Sequence, residues 1–200
     1  MSDKHAERAR YHHGSLPEAL TEVALELLDR HGAEKVTMRE VARRAGVSPG
    51  APFRHFPDRQ ALMMAVADRV LADFERWQLA AVGQAEGGGL RALGLGFVRY
   101  AVRHPRRFEL VRSRVFTATQ PPELRRRLSG IEQGLTDVIL ADQEAGRVRP
   151  GDPALVGLAA QALVYGLSQM IVDGYLPAEN AERLAEQVLD TIGPSITNRA

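Results

Sequence analysis

Residues Thr37–Phe56 read TMREVARRAGVSPGAPFRHF, and the punctuation of this stretch decides the fold. The Thr37 hydroxyl can accept from the backbone while Glu40 reaches back, a reciprocal capping box that satisfies two orphan N–H groups at a helix start. Met38, Val41, Ala42 and Ala45 then make a short apolar face. Gly46 suits the left-handed position just past a helix end. Val47 can plug the angle between two helices, Ser48 can cap the second, and Pro49 takes its first position, where a missing N–H costs nothing. Pro52 falls deeper, yet counted from Ser48 it removes only the first intrahelical bond, so the second helix is expected to survive. The expectation is a helix-turn-helix, whose second member lies in the major groove when such a motif binds DNA.

Working outward, Ser15 and Glu18 form another capping box. Leu16, Leu20, Val23, Ala24, Leu27 and Leu28 follow at helical spacing, which predicts a helix over 16–31 ended by Gly32. On the other side Pro57 breaks the second helix of the motif and Asp58 caps a long one carrying Met63, Val66, Ala67, Val70, Leu71, Phe74 and Trp77. The run Gly87, Gly88, Gly89 reads as a flexible joint. Beyond it the pattern predicts helices over 90–104, 105–116, 122–145, 152–175 and 178–192, with Pro105, Pro121, Pro122, Pro153 and Pro177 at their starts or in connectors. The fold expected is all-α: a basic arm over 1–14, a helix-turn-helix domain over 15–60, and a second helical domain over 61–200, to which the family resemblance given below adds ligand binding and dimerisation.

Segment 154–171, ALVGLAAQALVYGLSQMI, is apolar almost all round, which in a soluble protein implies burial on more than one side. Gly157, Ala159, Ala160, Ala162 and Gly166 permit close helix approach. The segment reads either as the central packing helix of its domain or as a homodimer seam, with Leu184, Val188 and Ile192 adding a second stripe.

Composition narrows the function. A formal net charge of +1 does not announce a nucleic-acid binder, but Lys4, Arg8 and Arg10 gather into a basic arm ahead of the first helix. The absence of cysteine excludes disulfides and thiolate metal sites, and the expected location is cytoplasmic. No membrane partner is expected: no apolar run is read as approaching the ~20 residues that span a bilayer, and the N-terminus lacks the apolar centre of a signal peptide. His12 and His13 are adjacent rather than spaced for one metal, and no nucleophile elbow, phosphate loop or zinc motif occurs, so neither catalysis nor a cofactor is expected.

Around the turn the chemistry suits DNA. Ser48 and the backbone N–H groups beside it can bind phosphate, Arg54 can read guanine by bidentate hydrogen bonds, and His55 can donate to phosphate or base. Thr37, Arg39 and Arg59 are placed as backbone clamps. Structural readings stand beside these: Phe53 and Phe56 as core, Ser48 as a cap only, Arg43 and Arg44 as a solvated face.

Read as a unit, residues 16–66 resemble the DNA-binding domain of the TetR family of bacterial transcriptional regulators. The resemblance is carried by the ordered set Thr37, Ala42, Ala45-Gly46-Val47-Ser48, Gly50, His55-Phe56, Arg59 and Leu62. Tyr11-His12-His13-Gly14 and the run Ala51 to Phe56 are similar to the branch with a WHG-type C-terminal domain. The resemblance implies a homodimer that binds a pseudo-palindromic double-stranded DNA operator, usually as a repressor released by a small-molecule effector in the C-terminal domain. It carries DNA contacts onto Thr37, Ser48, Pro49, Gly50, Phe53, His55 and Arg59. Phe53 stands where tyrosine is usual, and Pro49 where a polar base-reading side chain is common, so affinity is expected to lean on Arg54, His55 and the basic arm. The connector 146–153 looks like the family's link into the last two helices, which implies that those helices form the dimer. Trp77, Phe97, Tyr100, Phe108, Phe116, Tyr165, Gln169 and Met170 read either as core or as lining of the effector pocket. A second reading makes the protein a TetR-like interaction module that binds a partner protein instead of DNA.

Overall fold

The structure, a computed structural model, describes residues 15–85, 88–115 and 120–196; the basic arm and Phe116 lie outside them. Eight α-helices and no strand occur among the described residues. They are α1 (Leu16–His31), α2 (Met38–Ala45), α3 (Arg59–Gly83), α4 (Gly89–Arg103), α5 (Pro105–Val115), α6 (Pro122–Glu144), α7 (Pro153–Val172) and α8 (Ala181–Ile196). Short 3₁₀ turns at Ala33–Lys35, Pro52–Arg54 and Ala178–Asn180 complete the path.

The ends of the first helices have chemical causes. At α1 the Ser15 N–H donates to Glu18 Oε2 at 3.0 Å, and the chain leaves at Gly32, φ 83°. Thr37 Oγ1 accepts from the Glu40 N–H at 3.2 Å to open α2. Gly46, φ 71°, closes it: the Val47 N–H bonds Ala42 O at 3.1 Å and the Gly46 N–H bonds Arg43 O at 3.4 Å, the paired bonds of a Schellman end. Asp58 Oδ1 accepts from the Ala61 N–H at 2.8 Å to start α3.

The first core gathers α1, α2 and the front of α3. Leu20, Leu27, Leu28, Val36, Val41, Leu62, Met63 and Val66 are buried to within 1 % exposure, and Phe56 plugs the same cluster. Full burial of side chains this size stabilises by ~1.5–3 kcal/mol each, so this small unit has its own nucleus. Leu110 of α5 completes it, and α3 continues well past it, which makes α3 common to both halves of the chain. In the second half α4 lies between α7 and α8, where Leu95, Val98, Val164, Leu167, Ile171 and Ala185 form a separate cluster. Rings of Phe74, Trp77, Phe97, Tyr100, His104, Phe108 and Tyr165 stack edge-on or tilted between the two cores.

Ion pairs bolt the halves together. Arg107 on α5 binds both Asp29 oxygens of α1 and reaches Asp73 of α3 at 3.0 Å. Arg127 on α6 binds Asp68 at 2.7 Å and Glu75 at 2.6 Å on α3. Carboxylate contact holds both guanidinium groups above the usual arginine pKa.

Four expectations need correction. Residues 48–55 are not an α-helix. Pro49 and Pro52 supply no N–H, so Ser48 O receives the Ala51 N–H at 3.0 Å instead of an i→i+4 bond, and only the turn Pro52–Arg54 is helical. Glu40 does not close a box with Thr37; its carboxylate is taken by Arg43 and Arg44. The glycine run is no loose joint where it is described, because Asp142 of α6 accepts from the N–H groups of Gly89 at 3.2 Å and Leu90 at 2.9 Å. Finally, α7 is long and apolar enough to cross a membrane by length and composition alone, with mean hydropathy 1.6 and only 28 % of the stretch buried.

Candidate nucleic-acid interface and effector cavity

The turn between α2 and α3 presents its side chains outward. Thr37, Arg39, Ser48, Pro49, Gly50, Phe53, Arg54 and His55 are all exposed, while Ala51, Pro52 and Phe56 on the other side of the turn are buried. Phe56 thus anchors the segment and Phe53, 54 % exposed, does not. Ser48 is exposed and precedes the 3₁₀ turn, whose N-cap is Ala51, so its hydroxyl lies at the surface.

Charge separates the arginines here into two kinds. Glu40 binds Arg43 at 2.7 Å and Arg44 at 2.8 Å, and those contacts lower the Glu40 pKa to about 2. One carboxylate against two guanidinium groups leaves this face with a reduced but still positive charge. Arg39 and Arg54 carry no carboxylate partner among the described residues and keep their full charge toward solvent. Arg59 behaves differently from both. Its Nε donates to Val36 O at 2.7 Å and its second terminal nitrogen to Ala33 O at 2.5 Å, tying the start of α3 to the connector before α2. Half-buried Arg59 thus positions the turn, a role that no local sequence pattern announced.

The effector candidates scatter. A cavity of about 640 Å³ lies among α3, α4, α6, α7 and α8, and of the eight residues singled out Phe97 is in its wall. Tyr100 is buried with its hydroxyl 3.3 Å from Val70 O, and buried Phe108 packs between Phe97 and Tyr165. Trp77 donates to Gly96 O at 2.8 Å and borders a smaller hollow beside Arg99 and Glu182. Gln169 donates to Asp173 at 2.7 Å, and Met170 is 40 % exposed. The wall is instead built by Leu79, Leu93, Ile131, Leu135, Leu163 and Leu189, with Gly94, Gly130 and Gly134 making room. Glycines inside the α4 and α6 helical patterns were the sequence signal for such a void, since they weaken a helix unless space is needed.

A core of α1, α2 and the front of α3 presenting one exposed turn, carried on a larger helical body with a cavity between its helices, has the layout of a helix-turn-helix DNA-binding protein whose second helix is reduced to a 3₁₀ turn. More narrowly, the chain belongs to the TetR family of transcriptional regulators: residues 20–66 match "Bacterial regulatory proteins, tetR family" and residues 90–192 match "Tetracyclin repressor-like, C-terminal domain". That C-terminal description does not name the WHG-type branch. The chain is 31 % identical over 174 residues to the HTH-type transcriptional repressor Rv1474c of Mycobacterium tuberculosis, covering 83 % of this chain and 84 % of that one. A protein of unknown function from Rhodococcus sp. RHA1 superposes with TM-score 0.83 at 27 % identity, over 94 % of this chain and 99 % of that one. The fold is also shared with AibR, solved with isovaleryl coenzyme A and operator DNA, at TM-score 0.64 and 18 % identity over 92 % and 99 % of the two chains.

Proposed function

We propose that this TetR-family regulator is a cytoplasmic, ligand-responsive repressor that binds a pseudo-palindromic operator as a homodimer. The observation carrying the DNA-binding part is the exposed, unneutralised set Arg39, Arg54 and His55 around a turn whose backbone is held by Phe56 and Arg59. Thr37, Ser48, Pro49, Gly50 and Phe53 share that surface and would hold phosphates, with Arg54 and His55 reading bases and Arg59 holding the turn. Because the reading segment is a 3₁₀ turn that begins at Pro52 and is preceded by Pro49, specificity rests on few side chains and on DNA shape.

Support for the dimer comes from α7. Leu155 and Leu158 are 65 % and 64 % exposed, and Ala159, Ala162 and Met170 continue the same face. Gly157 is spent on α6, where a Cβ would lie 3.3 Å from Ile139, but one at Gly166 would meet nothing within 4 Å. An apolar helix face this long favours a second copy of α7 over water. The exposed residues of α8 over 181–191, Glu182, Arg183, Gln187, Asp190 and Thr191, are polar, so they suit the rim of the seam rather than its centre. Two half-sites on DNA sit roughly 34–36 Å apart, and a ligand that binds a spread form of the dimer better than the DNA-bound form would release the operator.

The test is selection of bound fragments from the source organism's DNA by the full chain, with and without candidate effectors. Recovery of a two-fold symmetric site supports the reading. No specific DNA, with a stable complex to another protein instead, would favour the interaction-module reading, for which exposed Phe53 is the feature in its favour.

A further inference from the structure

The cavity walls carry several charged groups, and each arginine among them is already matched by a carboxylate. Arg76 is bound to Asp73, Arg91 to Asp190 at 2.9 Å, Arg127 to Asp68 and Glu75, and Arg147 to Asp142 at 2.7 Å. The two acids in the wall are engaged in turn. Glu75 holds Arg127, and Asp142, 4 % exposed, holds Arg147 together with the N–H groups of Gly89 and Leu90. Each cation and each acid in the wall thus has an opposite charge in contact, with the exposed Arg76 sharing Asp73 with Arg69 and Arg107. The rest of the wall is mostly carbon, from Leu93, Phe97, Ile131, Leu135, Leu163 and Leu189; Gln78 and Gln161 are its uncharged polar members, and the buried Gln78 Oε1 has no hydrogen-bond partner among the described residues.

We infer that the cavity selects an uncharged, predominantly apolar effector and rejects anionic ones of the same shape. The inference rests on the ligand-responsive reading above and narrows it. Placing an anion here would either bury an unpaired charge or break an ion pair that joins α3 to α6, or α4 to α8. A neutral apolar molecule meets neither cost and gains from removing its surface from water. The contrast with the coenzyme A thioester bound by AibR is chemical: that ligand carries phosphates and needs free cations, which these walls lack.

The experiment titrates the full chain with two dyes of nearly the same shape, uncharged N-phenylnaphthylamine and anionic anilinonaphthalene sulfonate, read by fluorescence. Two variants accompany the wild type. Gly134→Phe fills the cavity from α6 at a position where a Cβ meets nothing within 4 Å, with retained helicity by circular dichroism as the check on folding. Glu75→Gln removes one of the two carboxylates on Arg127. The expected result is about tenfold or greater preference for the neutral dye, its loss in Gly134→Phe, and a gain of anionic binding in Glu75→Gln. Equal or tighter binding of the anionic dye, abolished by Gly134→Phe, overturns the inference and leaves ligand responsiveness standing. Binding of either dye that ignores Gly134→Phe, or no binding at all, overturns both the cavity as a site and the inference.

Discussion

Removing the Arg107 guanidinium while keeping its stem, as in Arg107→Met, tests whether the DNA-binding unit is bolted to the rest of the chain as described. Arg107 is 15 % exposed; its Nε lies 2.9 and 3.1 Å from the two Asp29 oxygens and a terminal nitrogen 2.5 Å from one of them. Asp73 keeps Arg69 and Arg76 in the variant, but Asp29 loses the side chain that neutralises it. Net hydrogen bonds to charged groups contribute ~1.5–3 kcal/mol, and the part exposure of Asp29 argues for the lower end, so the coupling between the two residues is expected at about 1.5–2 kcal/mol. The assay is a double-mutant cycle of wild type, Arg107→Met, Asp29→Ala and the double variant by denaturant unfolding, with thermal midpoints falling ~3–8 °C in each single variant. A coupling under ~0.5 kcal/mol would refute the reasoning, since unconnected sites add to within that margin.

Other perturbations probe separate links. Gly46→Ala meets no neighbour within 4 Å but must adopt φ 71°, so unfolding should show a loss of ~1–2 kcal/mol with no change in sedimentation. Burial lowers the His104 pKa, so the unfolded chain binds the proton more readily as pH falls below the ordinary histidine value. Stability should therefore decline from pH ~6.5 downward, and His104→Gln should flatten that limb in a pH series of melts. Leu155→Glu with Leu158→Glu should yield monomers in sedimentation while helicity by circular dichroism is retained. His55→Ala, exposed and away from the core, should weaken operator binding and leave the melting midpoint unchanged; loss of folding would make it a structural residue.

Local chemistry was legible in the sequence where one or two residues settle a backbone conformation. The limits of α1, the Thr37 and Asp58 caps and the left-handed Gly46 all follow from side-chain acceptors and a missing Cβ. The second helix of the motif failed for a reason also in the sequence: two missing donors at Pro49 and Pro52 were each tolerable alone, and together leave a turn. Contacts between helices far apart in the chain were not legible. Nothing near Arg59 points to Val36 O, and nothing near Arg127 points to Asp68 and Glu75, because those partners depend on helix register. For the same reason aromatic residues were a poor guide to the cavity. Rings such as Tyr100 and Phe108 fill space between the cores, and the void opens where Gly94, Gly130 and Gly134 leave it.

The most direct measurement of the central claim is the affinity of the full chain for its selected duplex across a salt series, wild type beside Arg54→Ala. Each phosphate contact contributes about −0.9 to the slope of log affinity on log salt. The account predicts a steep wild-type slope, with Arg54→Ala weakening specific binding by ~1–3 kcal/mol and erasing preference at one base position of each half-site. A flat salt response, or an Arg54→Ala variant that binds every sequence as wild type does, would contradict it.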